Sequence, residues 1–268
     1  YNLGRVYDLM DRFDDAVRQH ELAAELAPED PEPRYRLGVT YARRSEFEEA
    51  VRCYRDAIEI DYGCAKAHTN LGYTLDRLGL TDEAILEFKR AIEIDPENAE
   101  RHLNLGAIYG EKGMLPEAIE EFRSAVEIDP RSAEAHFNLG TELRGCEADD
   151  EAVAELELAV RYSADNPMAH YQLGLVYSGK GMFRKAVAEF QRVIALEGET
   201  PDACYQMGLA LASLDRLEDA ESYLRRAASA SPDDPKVHYQ LGVVMDRLGR
   251  SVDAVDSYRR ADKLHARS

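Results

Sequence analysis

The 268-residue sequence has no tryptophan and only four cysteines. Cys53, Cys64, Cys146 and Cys204 lie far apart and none belongs to a C-x-x-C pair. That pattern excludes the dense disulfide framework of a small secreted domain, and it fits a reducing compartment. The expected location is therefore cytoplasmic. No apolar run approaches the roughly 18 residues that a membrane-spanning helix needs, so direct membrane insertion is not expected. Basic residues are also scarce, 33 against 52 acidic, which leaves a formal net charge of −19. A phosphate backbone is bound by lysine and arginine clusters that release its counterions, so nucleic acid is not an expected partner. The chain also lacks a Ser-His-Asp arrangement, a Walker-type motif and a phosphate-cradling glycine loop. No catalytic residue, no enzyme activity and no cofactor are assigned to it.

What is present in quantity is repetition. Leu-Gly or Met-Gly pairs place glycines at Gly4, Gly38, Gly72, Gly106, Gly140, Gly174, Gly208 and Gly242, each step being 34 residues. An alanine follows each glycine 12 residues later, from Ala16 and Ala50 through to Ala254. Self-similarity at this period marks a stack of supersecondary units that cannot bury their apolar faces alone. Within a period the apolar spacing is helical and is broken once. His102, Leu105, Gly106 and Tyr109 share one face of a first helix, and Gly113 suits a left-handed helix end. Pro116 fits the opening turn of a second helix, whose apolar line runs through Ala118, Phe122, Ala125 and Ile128 to Asp129-Pro130. The repeats are 1–30, 31–64, 65–98, 99–132, 133–166, 167–200, 201–234 and 235–268, the first lacking its opening residues. Truncation at both ends is expected, because the chain starts inside a helix and Val255, Tyr258 and Leu264 leave the last one apolar.

The run Tyr35, Leu37-Gly38, Tyr41, Ala50, Tyr54, Ala57, with its equivalents along the whole chain, resembles the tetratricopeptide repeat family. That resemblance implies an all-α, right-handed α-solenoid superhelix of eight helix-turn-helix repeats. It also implies a concave wall built from the first helices, and a scaffold that binds partner proteins or peptides.

Five histidines stand in phase where the family carries tryptophan: His68, His102, His136, His170 and His238. Equivalent positions on stacked repeats lie roughly 10 Å apart, whereas zinc needs several nitrogens at about 2.0–2.1 Å. They are expected to be structural, and no metal site is assigned. Carboxylate pairs such as Glu120/Glu121 and Asp149/Asp150 are expected on solvated faces.

One residue before each Leu-Gly pair stand Asn2, Arg36, Asn70, Asn104, Asn138, Gln172, Gln206 and Gln240. By the family's geometry this position faces the groove. A side-chain amide both donates and accepts, so a row of amides pairs with the main chain of an extended peptide whatever its sequence. The alternative is that these amides simply order neighbouring helices. Tyr35, Tyr171, Tyr205 and Tyr239, with Tyr1 at the chain start, add rigid contact area one residue earlier. Val39, Tyr73, Leu175, Leu209 and Val243 add apolar patches. Arg36, Arg43, Lys66 and Arg77 make the early part of the groove basic, while Glu100, Glu134, Asp202 and Asp246 follow, so a ligand acidic at one end fits. The amide row is similar to the asparagine-lined groove of O-linked N-acetylglucosamine transferases. It lacks the lysine and arginine pattern of the clamp that holds chaperone tails. Three functions follow from these features: a peptide- or protein-binding scaffold, the substrate-recruiting part of a longer enzyme such as a glycosyltransferase, or a module that self-associates end to end.

Overall fold

The computed structural model describes residues 2–266, and there every repeat folds as a helical hairpin. The pairs are α1 Asn2–Leu9 with α2 Phe13–Leu26, α3 Pro31–Arg43 with α4 Phe47–Ile60, α5 Ala65–Arg77 with α6 Thr81–Ile94, and α7 Ala99–Glu111 with α8 Leu115–Ile128. They continue as α9 Ala133–Gly145 with α10 Asp149–Tyr162, α11 Pro167–Gly179 with α12 Phe183–Glu197, α13 Pro201–Ser213 with α14 Leu217–Ala230, and α15 Pro235–Arg247 with α16 Ser251–His265. No strand occurs among the described residues, and no helix there is long and apolar enough to cross a membrane.

Local chemistry sets these ends. Asp30, Asn98, Ser132, Asn166, Thr200 and Asp234 each accept a backbone N–H in the opening turn of a first helix. Such a cap satisfies a donor that has no partner within the helix. The turn inside each hairpin then reverses through one residue at positive φ. Gly79, Gly113, Gly181 and Gly249 take that role in four repeats, and Asp11, Ser45, Glu147 and Asp215 take it in the other four. The Gly179-Lys180-Gly181 segment is therefore a turn, with only its second glycine in the left-handed region.

Small residues bring the paired helices together. A Cβ on Gly106 would sit 2.6 Å from the Phe122 ring, so only glycine lets α7 approach α8 this closely. Ala118 and Ala125 complete that contact with no exposed surface. The same aromatic-on-glycine seat recurs at Gly72 with Phe88 and at Gly174 with Phe190.

The chain divides into two compact units, Tyr1–Pro130 and Arg131–Ser268. In the first, α2 packs on α3, α4 on α5 and α6 on α7. In the second, α10 packs on α11, α12 on α13 and α14 on α15. Each unit is thus a stack of hairpins in which every second helix but the last is covered by the first helix of the next repeat. The first unit carries 16 basic and 29 acidic residues, net −13, and the second 17 and 23, net −6.

Candidate functional site

In the first unit the amide positions converge on a cleft of about 220 Å³ between α3, α5 and α7. Tyr35, Lys66, Asn70, Asn104 and Arg101 are among its walls. Asn70 Nδ2 donates to the Tyr35 hydroxyl at 3.1 Å. Tyr35 is almost fully buried and tilted against Tyr54, with the Arg36 guanidinium 5.4 Å and the Lys66 ammonium 4.7 Å from its ring centre. Burial pushes its hydroxyl above the ordinary tyrosine range despite the two cations. Asn104 Nδ2 is buried in the cleft wall and has no partner among the described residues. A buried donor without an acceptor is costly, so a small shift of the Asn104 side chain toward the cleft is favoured wherever an acceptor is available there.

The basic residues of this region are already engaged. Lys66 and Arg36 both bond the carboxylate of Glu32, Arg36 at 2.7 Å. Burial of Glu32 would raise its pKa, but the two cations outweigh this and hold the carboxyl below its usual range. Arg43 spans to the preceding repeat, donating to the Asp8 carbonyl at 2.6 Å and to Asp11 at 2.7 Å. Arg77 lies over the Phe47 ring at 5.2 Å. These side chains tie repeats to each other, which separation along the chain did not reveal. Tyr73 is 43% exposed and meets Phe88 edge-on. Tyr1 and its ladder position lie outside the described residues.

In the second unit a cleft of about 340 Å³ lies between α11, α13 and α15 and shares with the first only the amide positions, its other walls lying nearer the C-terminal ends of the first helices. Gln206 and Gln240 line it together with Leu209, Val243, Phe183 and Arg247. Arg247 donates to the Ala212 carbonyl at 2.8 Å and to Asp215 at 3.0 Å, in the same way as Arg43 in the first unit. Gln172 Oε1 is a buried acceptor without a partner, as is the Ser178 hydroxyl on the cleft wall. Tyr171 and Tyr239 pack on Phe190 and Tyr258 from the neighbouring second helices, and Tyr239 keeps 54% of its surface exposed. Tyr205 and Asn138 are half-buried on α13 and α9.

The histidine ladder forms joints between helices. His68, His102, His136 and His170 place Nδ1 2.6–2.7 Å from Glu87, Glu121, Glu155 and Glu189, each 19 residues later on the second helix. The Nε2–H of His68, His102 and His170 donates to the carbonyl of Tyr62, Pro96 and Ala164, at the end of the preceding repeat. A carbonyl only accepts, so Nε2 carries its hydrogen and one proton is shared between Nδ1 and the glutamate. The rings of His68, His102 and His170 thereby bolt three chain segments together. The Glu partner was not identified from sequence, although its fixed spacing of 19 from histidine was readable there. No group of histidines, cysteines and carboxylates among the described residues is arranged to hold a metal. Burial pushes the Cys53 thiol up to about 12, which makes it unreactive at neutral pH.

Models of the tetratricopeptide repeat match residues 1–34, 31–64, 171–235 and 205–268, and a TPR repeat model matches 77–113 and 108–141. No curated protein matches the chain. Among solved structures it is similar to YrrB, described as a TPR protein with an unusual peptide-binding site. The two are 26% identical with a TM-score of 0.61, over 67% of this chain and 93% of that one. The MamA protein is 28% identical with a TM-score of 0.59, over 64% and 94% of the two chains. PilF of Pseudomonas aeruginosa, at 20% identity and a TM-score of 0.65, covers 76% of this chain and 93% of its own, and shares the fold.

Proposed function

Because the chain belongs to the tetratricopeptide repeat family, a family of protein-interaction scaffolds, we propose that it holds extended peptide segments of partner proteins in the clefts of its first helices. The observation that carries this reading is the recurrence of side-chain amides at one repeat position on the cleft walls of both units. Asn70 and Asn104 line the cleft of the first unit, and Gln206 and Gln240 line that of the second. A peptide main chain presents alternating donors and acceptors, and an amide pairs with either. The apolar surface of Leu209 and Val243 between the two glutamines favours a segment carrying an aliphatic side chain there. YrrB, described as a TPR protein with an unusual peptide-binding site, supports peptide binding by a chain of this fold. The early expectation of an acidic ligand end loses force, since Glu32 already occupies Lys66 and Arg36.

The test is capture of partners on the intact protein, followed by affinity measurement with two double variants. Asn70→Ala with Asn104→Ala, and Gln206→Ala with Gln240→Ala, should each weaken a cleft-bound partner by about 10-fold or more, on the order of 1.4 kcal/mol. Unchanged affinity in both variants, with folding intact, would place the ligand elsewhere. Recruitment of substrates for a catalytic domain on the same parent chain uses the same clefts and gives the same outcome.

A further inference from the structure

In the second unit we infer a carboxylate-binding site around His238, between α14, α15 and α16. The argument rests on an internal comparison. Four histidines at this repeat position hold a glutamate carboxylate on Nδ1 at 2.6–2.7 Å. His238 keeps the other half of the arrangement, since its Nε2–H donates to the Pro232 carbonyl at 2.9 Å. With Nε2 fixed in the same way, Nδ1 points where the glutamate lies in the other repeats. Residue 257 stands there, and it is serine. Its hydroxyl turns away to the Met245 sulfur at 3.5 Å.

The missing carboxylate leaves a space. An open cavity of about 520 Å³ is lined by His238, Ser257, Arg225, Arg260, Leu241 and Met245. His238 is only 4% exposed, and its Nδ1 has no partner among the described residues. The charged groups facing the ring come from two helices. Arg225 on α14 is held by Glu221, while α16 contributes Arg260 and the rim carboxylate of Asp256, which lies 3.6 Å from Arg259. The cavity therefore combines a buried imidazole edge with the Arg260 guanidinium and with Arg225, whose Nε and Nη2 are paired to Glu221, against the exposed acid of Asp256. A bound carboxylate restores the contact made in the other four repeats, with one proton shared at Nδ1, and it gains a charge-assisted donor from Arg260 on the cavity lining. The carboxylate is either a free dicarboxylic acid or a glutamate side chain of a second protein. This site is independent of the first-helix clefts.

The experiment uses the full chain labelled with ¹⁵N-histidine. Glutarate and, separately, a short alanine peptide bearing one glutamate are titrated while the imidazole resonances are followed. Saturable shifts are expected at His238, with none at His170, whose Nδ1 is already taken by Glu189. A stronger response to glutarate assigns the site to free acids, and a stronger response to the peptide assigns it to a protein side chain. Ser257→Glu should supply the carboxylate from within. The His238 signals then move toward those of His170 and both titrations disappear. If that variant does not fold, the wild-type titration alone decides. Equal shifts at His238 and His170, no shift with either probe, or a folded Ser257→Glu protein that titrates like the wild type would overturn the assignment.

Discussion

The two units share one frame and spend their variable positions differently. In the first, net −13, the first-helix surface is dominated by charged residues that neutralise each other, with Glu32 between Lys66 and Arg36. A buried polar cluster also closes its opening repeat. The Asp8 carboxylate takes the Thr40 hydroxyl at 2.8 Å and lies 3.0 Å from His20 Nε2, and all three side chains are buried. In the second unit, net −6, the cleft carries amide and aliphatic side chains, and in the repeat 167–200 the position of Asp8 holds Ser178, whose hydroxyl has no partner among the described residues. The contacts between paired helices are nonetheless the same in both, an aromatic or leucine seated on a glycine. Packing fixes the positions that face inward, because interiors tolerate little change in volume. It leaves the outward positions free to take on polar or apolar character.

The largest effects should appear where the frame is shared. Phe122→Ala in the first unit and Phe190→Ala in the second each remove a fully packed ring and should cost about 3–5 kcal/mol in urea unfolding. Losses that differ by more than about 2 kcal/mol would break the claim of a common frame. The next test separates the units. Asp8→Ala leaves the buried His20 ring without its partner and takes from Thr40 one of its two acceptors, the Arg36 carbonyl remaining, and should cost about 1–3 kcal/mol, whereas Ser178→Ala should be neutral or slightly stabilising. A substantial loss at Ser178 would mean that its hydroxyl has a partner in solution.

A smaller effect is expected from Glu32→Gln in the first unit, about 0.5–1 kcal/mol near neutral pH. Its folded pKa is lowered from 4.5, so the stability it contributes is complete above the unfolded value and is lost as pH falls through the folded one. Stability curves of variant and wild type should therefore converge in acid, and a constant difference down to low pH would contradict the ion-pair origin. The smallest change should come at the turns. Ser45→Gly and Glu147→Gly relieve a side chain held at φ 62 and 59, for a gain of about 0.5–1 kcal/mol in either unit.

The fold was legible because each of its determinants is local and repeated. The glycine–alanine spacing, the caps and the turn residues recur every 34 residues, and eight copies leave one interpretation. The shared repeat position of Asn70, Asn104, Gln206 and Gln240 was legible too, whereas Asn98, Arg101, Phe183 and Arg247, which line the same clefts, were not, because they stand at other repeat positions. Less legible were the engagements of the basic residues. Lys66 meets Glu32 across 34 residues and Arg43 meets Asp11 across 32, and neither separation distinguishes a bonded cation from a free one. The histidines were expected to be structural, but their carboxylate and carbonyl partners emerged only when the helices were side by side.

The amino-acid order by itself determined that the chain forms helical hairpins, where each begins and turns, and which residues pack between its helices. Those outcomes follow from backbone preference and apolar periodicity, which act within a single repeat. Only the tertiary structure decided which charges cancel, which amides stay unsatisfied, and that Ser257 leaves His238 facing an open cavity. Hydrogen bonds and ion pairs depend on distances of a few ångströms, and those are set once neighbouring repeats have packed.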